Sequence, residues 1–354
     1  MTIVVVGAGA IGLLAAGRLA HSSQRTVLLA RPRVAQAIAQ GGLRILDRGA
    51  LAVIETLTTI AEASDLPRED RNPELAILCV KGYDTAGALP TLEALNPQFI
   101  LTLQNGIGNE EILAERFGAA RIISGAITIP VEIEAPGRIA LTRRGGIGLA
   151  PMRPATRAAA DWAAGALRAA GFEVREFADY RALKWSKALL NILGNASAAI
   201  LDMSVVEVYA DRRLVDLERR AFLEALAAMD RMGIRPVSLP RHPVALLAGA
   251  MRYAPAPLLY PLLRKLIAGG RGSKPPSLQI DLARGNPRSE GAFLNGAIAC
   301  AAAEAGVPAP VNQALWSALR EIASGEVAWD HYRRQPEQLL AAIERSPGSP
   351  VAGS

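Results

Sequence analysis

The sequence predicts an α/β protein with an N-terminal doubly wound parallel sheet followed by an all-helical C-terminal domain. Three observations support this prediction. Short apolar runs alternate with helix-periodic stretches through the first half of the 354 residues, a pattern typical of β-α-β units. A glycine-rich turn joins the first apolar run to the first helical stretch, and β-type runs disappear after about residue 178. We predict domains at 1–178 and 179–345 and a flexible tail at 346–354.

The strands of the first domain are predicted from β-branched and aliphatic runs bounded by turn residues. The candidates are "TIVVVG", "TVLLA", "LAVIETL", "LAILCV", "FILTLQ" and "RIISGAITI". Helices are predicted for "AIGLLAAGRLA", "TAGALPTLEAL", "NEEILAERFG" and residues 155–170. A hairpin is expected around Pro136-Gly137, and "FEVREF" is expected to add a last strand.

The second domain is predicted to be helical because it is rich in alanine and leucine and shows no strand periodicity. The predicted helices span 180–200, 205–232, 244–267, 277–284, 290–305, 312–324 and 336–345. The apolar stretch within 236–275 is interrupted by prolines and by Arg252. It therefore predicts one or two buried, kinked helices and not a membrane span.

Composition excludes several classes of protein. Hydrophobic residues make up 51% and charged residues 20%, which favours a packed core. The net charge is +6, but the arginines are scattered and aromatic residues are 5%, so no nucleic-acid surface is predicted. Cys79 and Cys300 lie far apart and predict two buried thiols in a reducing, cytoplasmic compartment. No signal peptide and no metal site are predicted.

The stretch "VVVGAGAIG" carries the strongest local motif. Gly7, Gly9 and Gly12 form a G-x-G-x-x-G pattern after an apolar strand and at the start of a helix. In this context Gly7 permits a tight turn, Gly9 lets a pyrophosphate approach the backbone, and Gly12 lets the helix pack on the strand. The motif predicts a Rossmann-type dinucleotide site, with a glycine turn that binds nothing as the alternative.

The end of the second strand predicts which dinucleotide is bound. Arg31 stands there, where an NAD site would carry an acidic residue for the ribose 2′-hydroxyl. An arginine suits the 2′-phosphate of NADP(H) instead. The alternative is that Arg31 is a solvated loop residue.

Two further polar residues follow predicted strands. Lys81 comes after "LAILCV", and Asn105 comes after "FILTLQ". Ligands of doubly wound sheets bind at the carboxyl ends of the strands, so both residues are predicted to line the cofactor side of the site. Asn105 precedes Gly106, and an ordinary Asn-Gly turn is the alternative for it.

The stretch "KWSKALLNILGN" places Lys187, Asn191 and Asn195 four residues apart among aliphatic residues. On one continuous helix this spacing puts them on a single stripe. A buried stripe of this kind needs polar partners, because an unpaired buried polar group costs several kcal/mol. A ligand is one such partner; solvent and neighbouring backbone are the alternative. Lys184 is a weaker candidate, expected on the exposed flank.

Five stretches together resemble the ketopantoate reductase family: "GAGAIG", "ILCVKGYDT", "LQNGIGNEE", "KWSKALLNILGN" and "PPSLQIDLARGNPRSEGAFLNGAI". The resemblance implies reduction of 2-dehydropantoate to pantoate with NADPH, on the way to pantothenate. It also implies a Rossmann domain, a helical domain and an active site between them.

The resemblance assigns roles to individual residues. It implies that Lys187 is catalytic, that Asn191, Asn195 and Ser277 bind the substrate, and that Glu290 lies near the nicotinamide end of the cofactor. It places Lys81 and Asn105 on the cofactor side.

Three departures from the family pattern fall on the substrate side. Val205 stands where a further asparagine is expected. Glu290 is followed by Gly291-Ala292 and lies one residue farther from Asp281 than expected, and the segment 236–275 is longer and more apolar. These changes keep open a different oxo acid as substrate. A regulator that binds NADPH without catalysis is a further alternative, and a homodimer is possible if apolar surface is exposed.

The cofactor and the protein are expected to have separate roles in the reaction. The cofactor supplies the hydride, and Lys187 stabilises the developing oxyanion and supplies the proton. Partial burial among leucine and isoleucine should lower the pKa of such a lysine.

Overall fold

In the computed structural model, which describes residues 1–268 and 275–345, the chain forms two compact units. The first contains Met1–Lys184 and Ser238–Pro243. The second contains Trp185–Val237 and continues from Val244. The tail predicted at 346–354 lies outside the described residues.

The first unit contains an eight-stranded sheet in the order β12-β11-β8-β7-β6-β1-β2-β5. All neighbouring strands are parallel except β8 and β11. Its strands are β1 (Thr2–Val6), β2 (Arg25–Leu29), β5 (Thr58–Ile60), β6 (Leu75–Leu78), β7 (Phe99–Thr102), β8 (Ile122–Ile127), β11 (Ile147–Pro151) and β12 (Val174–Glu176). The predicted doubly wound sheet is confirmed. Its central strands are fully buried because helices cover both faces.

A second, four-stranded sheet in the order β4-β3-β10-β9 was not predicted. It consists of β3 (Leu43–Asp47), β4 (Ala50–Ile54), β9 (Val131–Ala135) and β10 (Arg138–Leu141). The hairpin at Pro136-Gly137 is confirmed as β9–β10. The run "LAVIETL" forms β4 in this sheet, so its assignment to the parallel sheet is wrong. Its partner β3 in turn pairs with β10, a distant part of the chain.

The helices of the first unit follow the predicted stretches closely. They are α1 (Ala10–His21), α2 (Pro32–Gly41), α3 (Thr85–Leu95), α4 (Asn109–Phe117) and α5 (Arg157–Ala169). Only α2 was not predicted. Val34 and Ile38 do lie four residues apart, as on one face of a helix, but this pattern extends over only ten residues and Ile38 alone is buried.

The second unit is helical, as predicted, but its helices are shorter than expected. Helix α6 (Tyr180–Ile192) begins in the first unit and continues into the second. The others are α7 (Ala196–Leu201), α8 (Val205–Val208), α9 (Arg212–Arg231), α10 (Val244–Tyr253), α11 (Ala256–Leu263), α12 (Ser277–Ala283), α13 (Asn295–Glu304), α14 (Pro310–Ser324) and α15 (Pro336–Glu344). The predicted spans 180–200, 205–232 and 244–267 are each broken by a turn.

The apolar segment forms two helices separated at Pro255, but it is not wholly buried as predicted. Leu246, Tyr253 and Leu258 are largely exposed. No helix among the described residues combines the length and apolarity needed to cross a bilayer. The homodimer stays a prediction, which sedimentation of the purified protein can test.

The two cysteines differ in environment. Cys79 is only partly buried, and the desolvation of its thiol raises the pKa to about 12. Cys300 lies on α13 and is exposed, so the prediction of two buried thiols is wrong for this residue. Its helix presents a face to solvent at that position, which alanine-rich sequence did not reveal.

Candidate active site

The glycine loop has the geometry that dinucleotide binding requires. Gly7 has φ +102°, and a β-carbon there would lie 2.9 Å from Val80 Cγ1. A β-carbon at Gly12 would lie 1.8 Å from the Gly7 carbonyl oxygen, so α1 packs directly against the turn. At Gly9 the nearest atom would be 3.8 Å away. The chain's own packing therefore explains Gly7 and Gly12, whereas a β-carbon at Gly9 would make only an ordinary van der Waals contact.

The loop lies at the topological switch point of the sheet. The chain leaves β1 towards β2 on one side and returns to β6 on the other. Ligands of doubly wound folds bind at this point, beyond the carboxyl ends of the strands. Four adjacent strands end at this edge of the sheet. Strand β2 is followed by Arg31, β1 by the glycine loop, β6 by Lys81 and β7 by Asn105. They span three strand spacings, or about 14 Å.

Arg31 is available for a ligand. It directly precedes the first turn of α2 and is exposed. No ion pair to Arg31 is found within 1–268 and 275–345. Lys81 and Asn105 are partly buried, as expected for residues that line a site.

Gln104, which the sequence did not single out, joins the loops that carry Lys81 and Asn105. Its side-chain amide donates hydrogen bonds to the Val80 carbonyl at 3.1 Å and to Thr85 Oγ1 at 2.8 Å. Its Oε1 accepts one from Thr102 Oγ1 at 3.0 Å. These groups are buried, so water does not compete for the bonds and the two loops are held together.

Lys184 does not lie on the exposed flank of its helix, and this prediction is wrong. Its side chain is 3% exposed, and its Nζ lies 3.2 Å from Glu110 Oε1, itself on a side chain that is 1% exposed. Nζ also donates a hydrogen bond to the Gln104 carbonyl at 2.6 Å. Glu110 is 74 residues away in sequence, so helical periodicity gave no sign of this partner.

The polar stripe is continuous only in part. Lys187 and Asn191 are partly buried and lie one turn apart on α6. The helix ends at Ile192, and Gly194 has φ +59°. Asn195 comes after this break and precedes α7, so its predicted place on the same helix is wrong. It is nonetheless buried, and its Oδ1 accepts a hydrogen bond from the Leu278 amide at 3.4 Å.

Glu218 holds the break between α6 and α7. This buried carboxylate on α9 accepts a hydrogen bond from the Gly194 amide at 2.6 Å and another from Ser197 Oγ. A β-carbon at Gly194 would lie 3.0 Å from Val205 Cγ1. Val205 is therefore a buried apolar neighbour of this corner, beside Asn195.

The remaining predicted residues lie in the second unit. Ser277 is exposed at the start of α12, next to Leu278, whose amide contacts Asn195. Asp281 is buried on the same helix. Glu290 is buried on a 3-10 turn at Glu290–Phe293, and its role near the nicotinamide stays a prediction.

Both halves of the chain match a known family. The ketopantoate reductase PanE/ApbA profile matches residues 3–154, and the profile of its C-terminal domain matches 179–323. A 2-dehydropantoate 2-reductase of Archaeoglobus fulgidus is 26% identical over 325 residues, covering 91% of this chain and 98% of that protein.

Solved structures agree with this assignment. A PanE/ApbA family ketopantoate reductase from Ralstonia eutropha JMP134 superimposes with a TM-score of 0.77 at 25% identity, covering 92% of this chain and 99% of the other. D-mandelate dehydrogenase, solved with NADH and anilino(oxo)acetate, has a TM-score of 0.77 at 22% identity over 92% and 99% of the two chains and shows the shared fold. The chain belongs to the ketopantoate reductase family, whose named members are oxidoreductases acting on CH–OH groups.

Proposed function

We propose that this protein reduces 2-dehydropantoate, or a closely related 2-oxo acid, to the 2-hydroxy acid with NADPH. The observation that carries the proposal is the row of Arg31, the glycine loop, Lys81 and Asn105 at the carboxyl ends of four adjacent strands. Such a row suits a dinucleotide laid across the switch point. Relatives that span about nine-tenths of this chain are named 2-dehydropantoate 2-reductase.

The residues present fit an NADP(H) cofactor. Space at Gly9 lets backbone amides approach a pyrophosphate, since the nearest atom from elsewhere in the chain, the Cys79 carbonyl oxygen, would lie 3.8 Å from a β-carbon there. The exposed guanidinium of Arg31 suits a 2′-phosphate. When bound, NADPH supplies the hydride.

The chain's own contribution is to bind the oxo acid and deliver a proton. Lys187 donates a hydrogen bond to the keto oxygen, stabilises the negative charge that develops there and gives up a proton to it. Asn191 and Asn195 orient the hydroxyl and keto oxygens, and Ser277 binds the carboxylate. Because Lys187 is only partly buried, it can regain its proton from solvent.

The test follows nicotinamide absorbance with NADPH and 2-dehydropantoate for wild type, Lys187→Ala and the matched control Lys265→Ala. Lys265 is exposed on the turn after α11. We expect Lys187→Ala to lower kcat by about 10²- to 10⁴-fold, and Lys265→Ala to leave kcat unchanged. Equal losses in the two variants would contradict the role of Lys187.

A different 2-oxo acid is the second candidate, and Val205 favours it. This buried valine gives the corner beside Asn195 an apolar neighbour where the family resemblance leads one to expect an asparagine. A panel of 2-oxo acids compared by kcat/KM decides between substrates. Turnover that is highest for an acid other than 2-dehydropantoate would favour the second candidate. NADPH binding without turnover on any acid would favour a non-enzymatic regulator.

A further inference from the structure

We propose that a buried polar network, formed by the Lys184–Glu110 pair and by Asn109, positions Asn105 for binding the cofactor. These residues are positioning residues, since they act through the backbone on either side of Asn105. The inference rests on the proposed function in taking Asn105 as a cofactor-binding residue.

The two carbonyl groups that bracket Asn105 are each held by a buried side chain. Lys184 Nζ donates to the Gln104 carbonyl at 2.6 Å, on the N-terminal side. Asn109 Nδ2 donates to the carbonyl of Asn105 itself at 3.0 Å. Because a peptide unit is planar, fixing these two carbonyls fixes the planes on both sides of the Asn105 α-carbon. The direction in which the Asn105 side chain leaves the backbone is then set.

The loop needs such support because its own sequence is permissive. Gly106 has φ +91° and Gly108 has φ +101°. Glycine loses more conformational entropy than other residues when it is ordered, so a loop with two of them does not hold one conformation by itself. Asn105 precedes this pair, just beyond the last residue of β7 that takes part in the sheet.

The other end of the network is tied to the sheet. Glu110 Oε1 accepts a hydrogen bond from Ser124 Oγ at 2.7 Å, and Ser124 lies within β8. Asn109 Oδ1 accepts one from Thr85 Oγ1 at 2.9 Å. The loop is therefore connected through buried side chains to a central strand and to the start of α3.

A role in stability alone is a poor explanation for a pair buried to this degree. Replacing a buried ion pair by apolar residues of similar volume is often neutral or stabilising, because desolvation offsets the attraction. An apolar pair, however, has no donor for the Gln104 carbonyl. The hydrogen bond to the loop is what Lys184 contributes and a methionine does not.

The experiment compares wild type, Lys184→Met and Lys184→Met/Glu110→Gln by thermal melting and by NADPH fluorescence titration. The single variant leaves a buried carboxylate without its cation, so we expect a large drop in melting temperature. The double variant removes both charges, and the carboxamide that replaces the Glu110 carboxylate retains an acceptor for Ser124. We expect its melting temperature to recover most of the drop but to stay below wild type, because the Gln104 carbonyl still lacks its donor, while its Kd for NADPH stays at least about tenfold higher, a difference of about 1.4 kcal/mol.

The control is Asp70→Asn, which breaks a buried carboxylate's pairing with Arg25 elsewhere in the same unit. It should lower the melting temperature and leave the Kd for NADPH unchanged. A double variant that regains both stability and wild-type affinity would overturn the proposal. If the double variant does not fold, Asn109→Ser tests the proposal instead. This substitution removes the hydrogen bond to the Asn105 carbonyl without leaving an unpaired charge. Unchanged NADPH affinity in that variant would equally overturn the proposal.

The titration also separates this inference from the proposed function. A wild-type protein that binds NADPH but reduces no oxo acid would contradict the function, and the Kd ratios of the variants would still decide on the network. A wild-type protein that binds no nicotinamide dinucleotide would overturn both.

Discussion

Two alanine substitutions in the glycine loop separate packing from ligand binding. Gly9 and Gly12 belong to the same motif and lie three residues apart. A methyl group at Gly12 collides with the chain itself, whereas one at Gly9 would lie 3.8 Å from the Cys79 carbonyl oxygen, at ordinary van der Waals distance. We expect Gly12→Ala to lose stability and cofactor affinity together, and Gly9→Ala to lose affinity alone.

The magnitudes follow from the contact distances. At Gly12 the new carbon would lie 1.8 Å from the Gly7 carbonyl oxygen, so α1 must move away from the turn. Overpacking costs about 1–3 kcal/mol and more where backbone is the obstacle, so we expect about 3 kcal/mol or more. Gly9 has φ −75°, which alanine adopts readily. Alanine lowers the conformational entropy of the unfolded chain, which stabilises the fold by about 0.4–1 kcal/mol, and its poorer fit at a helix N-cap offsets this gain.

The assay is urea unfolding of each variant without cofactor, followed by NADPH fluorescence titration. Gly9→Ala should unfold within about 1 kcal/mol of wild type and bind NADPH at least about tenfold more weakly, a loss of about 1.4 kcal/mol. Wild-type affinity in Gly9→Ala would refute the placement of the pyrophosphate at Gly9. Wild-type stability in Gly12→Ala would refute the close packing of α1 on the turn.

Three further substitutions test other parts of the structure. Arg31→Ala should weaken NADPH binding by about 1.5–3 kcal/mol and leave NADH binding unchanged. The control is Arg33→Ala, which changes an exposed neighbour. A similar loss of affinity for both coenzymes in titrations would argue against a 2′-phosphate site. Glu218→Ala leaves a buried amide and a buried hydroxyl without their acceptor, so the free energy of unfolding measured in urea should fall by about 2–5 kcal/mol. A decrease of less than about 1 kcal/mol would contradict these hydrogen bonds. The Arg25 guanidinium holds the pKa of Asp70 below its usual range, so the stability that Asp70 contributes is complete above about pH 4 and is lost as the pH falls through the lowered folded-state pKa. The difference in melting temperature between wild type and Asp70→Asn should therefore shrink in acid, and a constant difference would show that the carboxylate's charge is not its source.

Sequence alone was sufficient where local pattern decides structure. The strands β1, β6 and β7, the glycine loop and the positions of Arg31, Lys81 and Asn105 at strand ends all followed from short apolar runs and the residues after them. Such runs have one low-energy solution in a doubly wound fold, since a strand buried on both faces cannot be placed elsewhere.

Tertiary structure decided which polar groups meet. Lys184 and Lys187 look alike in sequence, but Lys184 is buried against Glu110 and the Gln104 carbonyl, whereas Lys187 is only partly buried. Helical periodicity predicts the face of the helix on which a side chain lies. It does not predict which residue from a distant part of the chain contacts that face.

The break at Gly194 has the same origin. Four-residue spacing continued to Asn195, and a glycine inside a helix costs only about 1 kcal/mol, too little to predict an end. The helix ends there because Gly194 adopts φ +59° and its amide donates to Glu218 and not to the preceding turn of the helix. The sequence alone thus determined the doubly wound sheet, the helical second unit and the row of residues along the strand ends, because these depend on local pattern, whereas the four-stranded sheet depends on the pairing of β3 with the distant β10. The positions of Lys184 and Asn195 depended on contacts between residues far apart in the chain, which only the folded structure brings together.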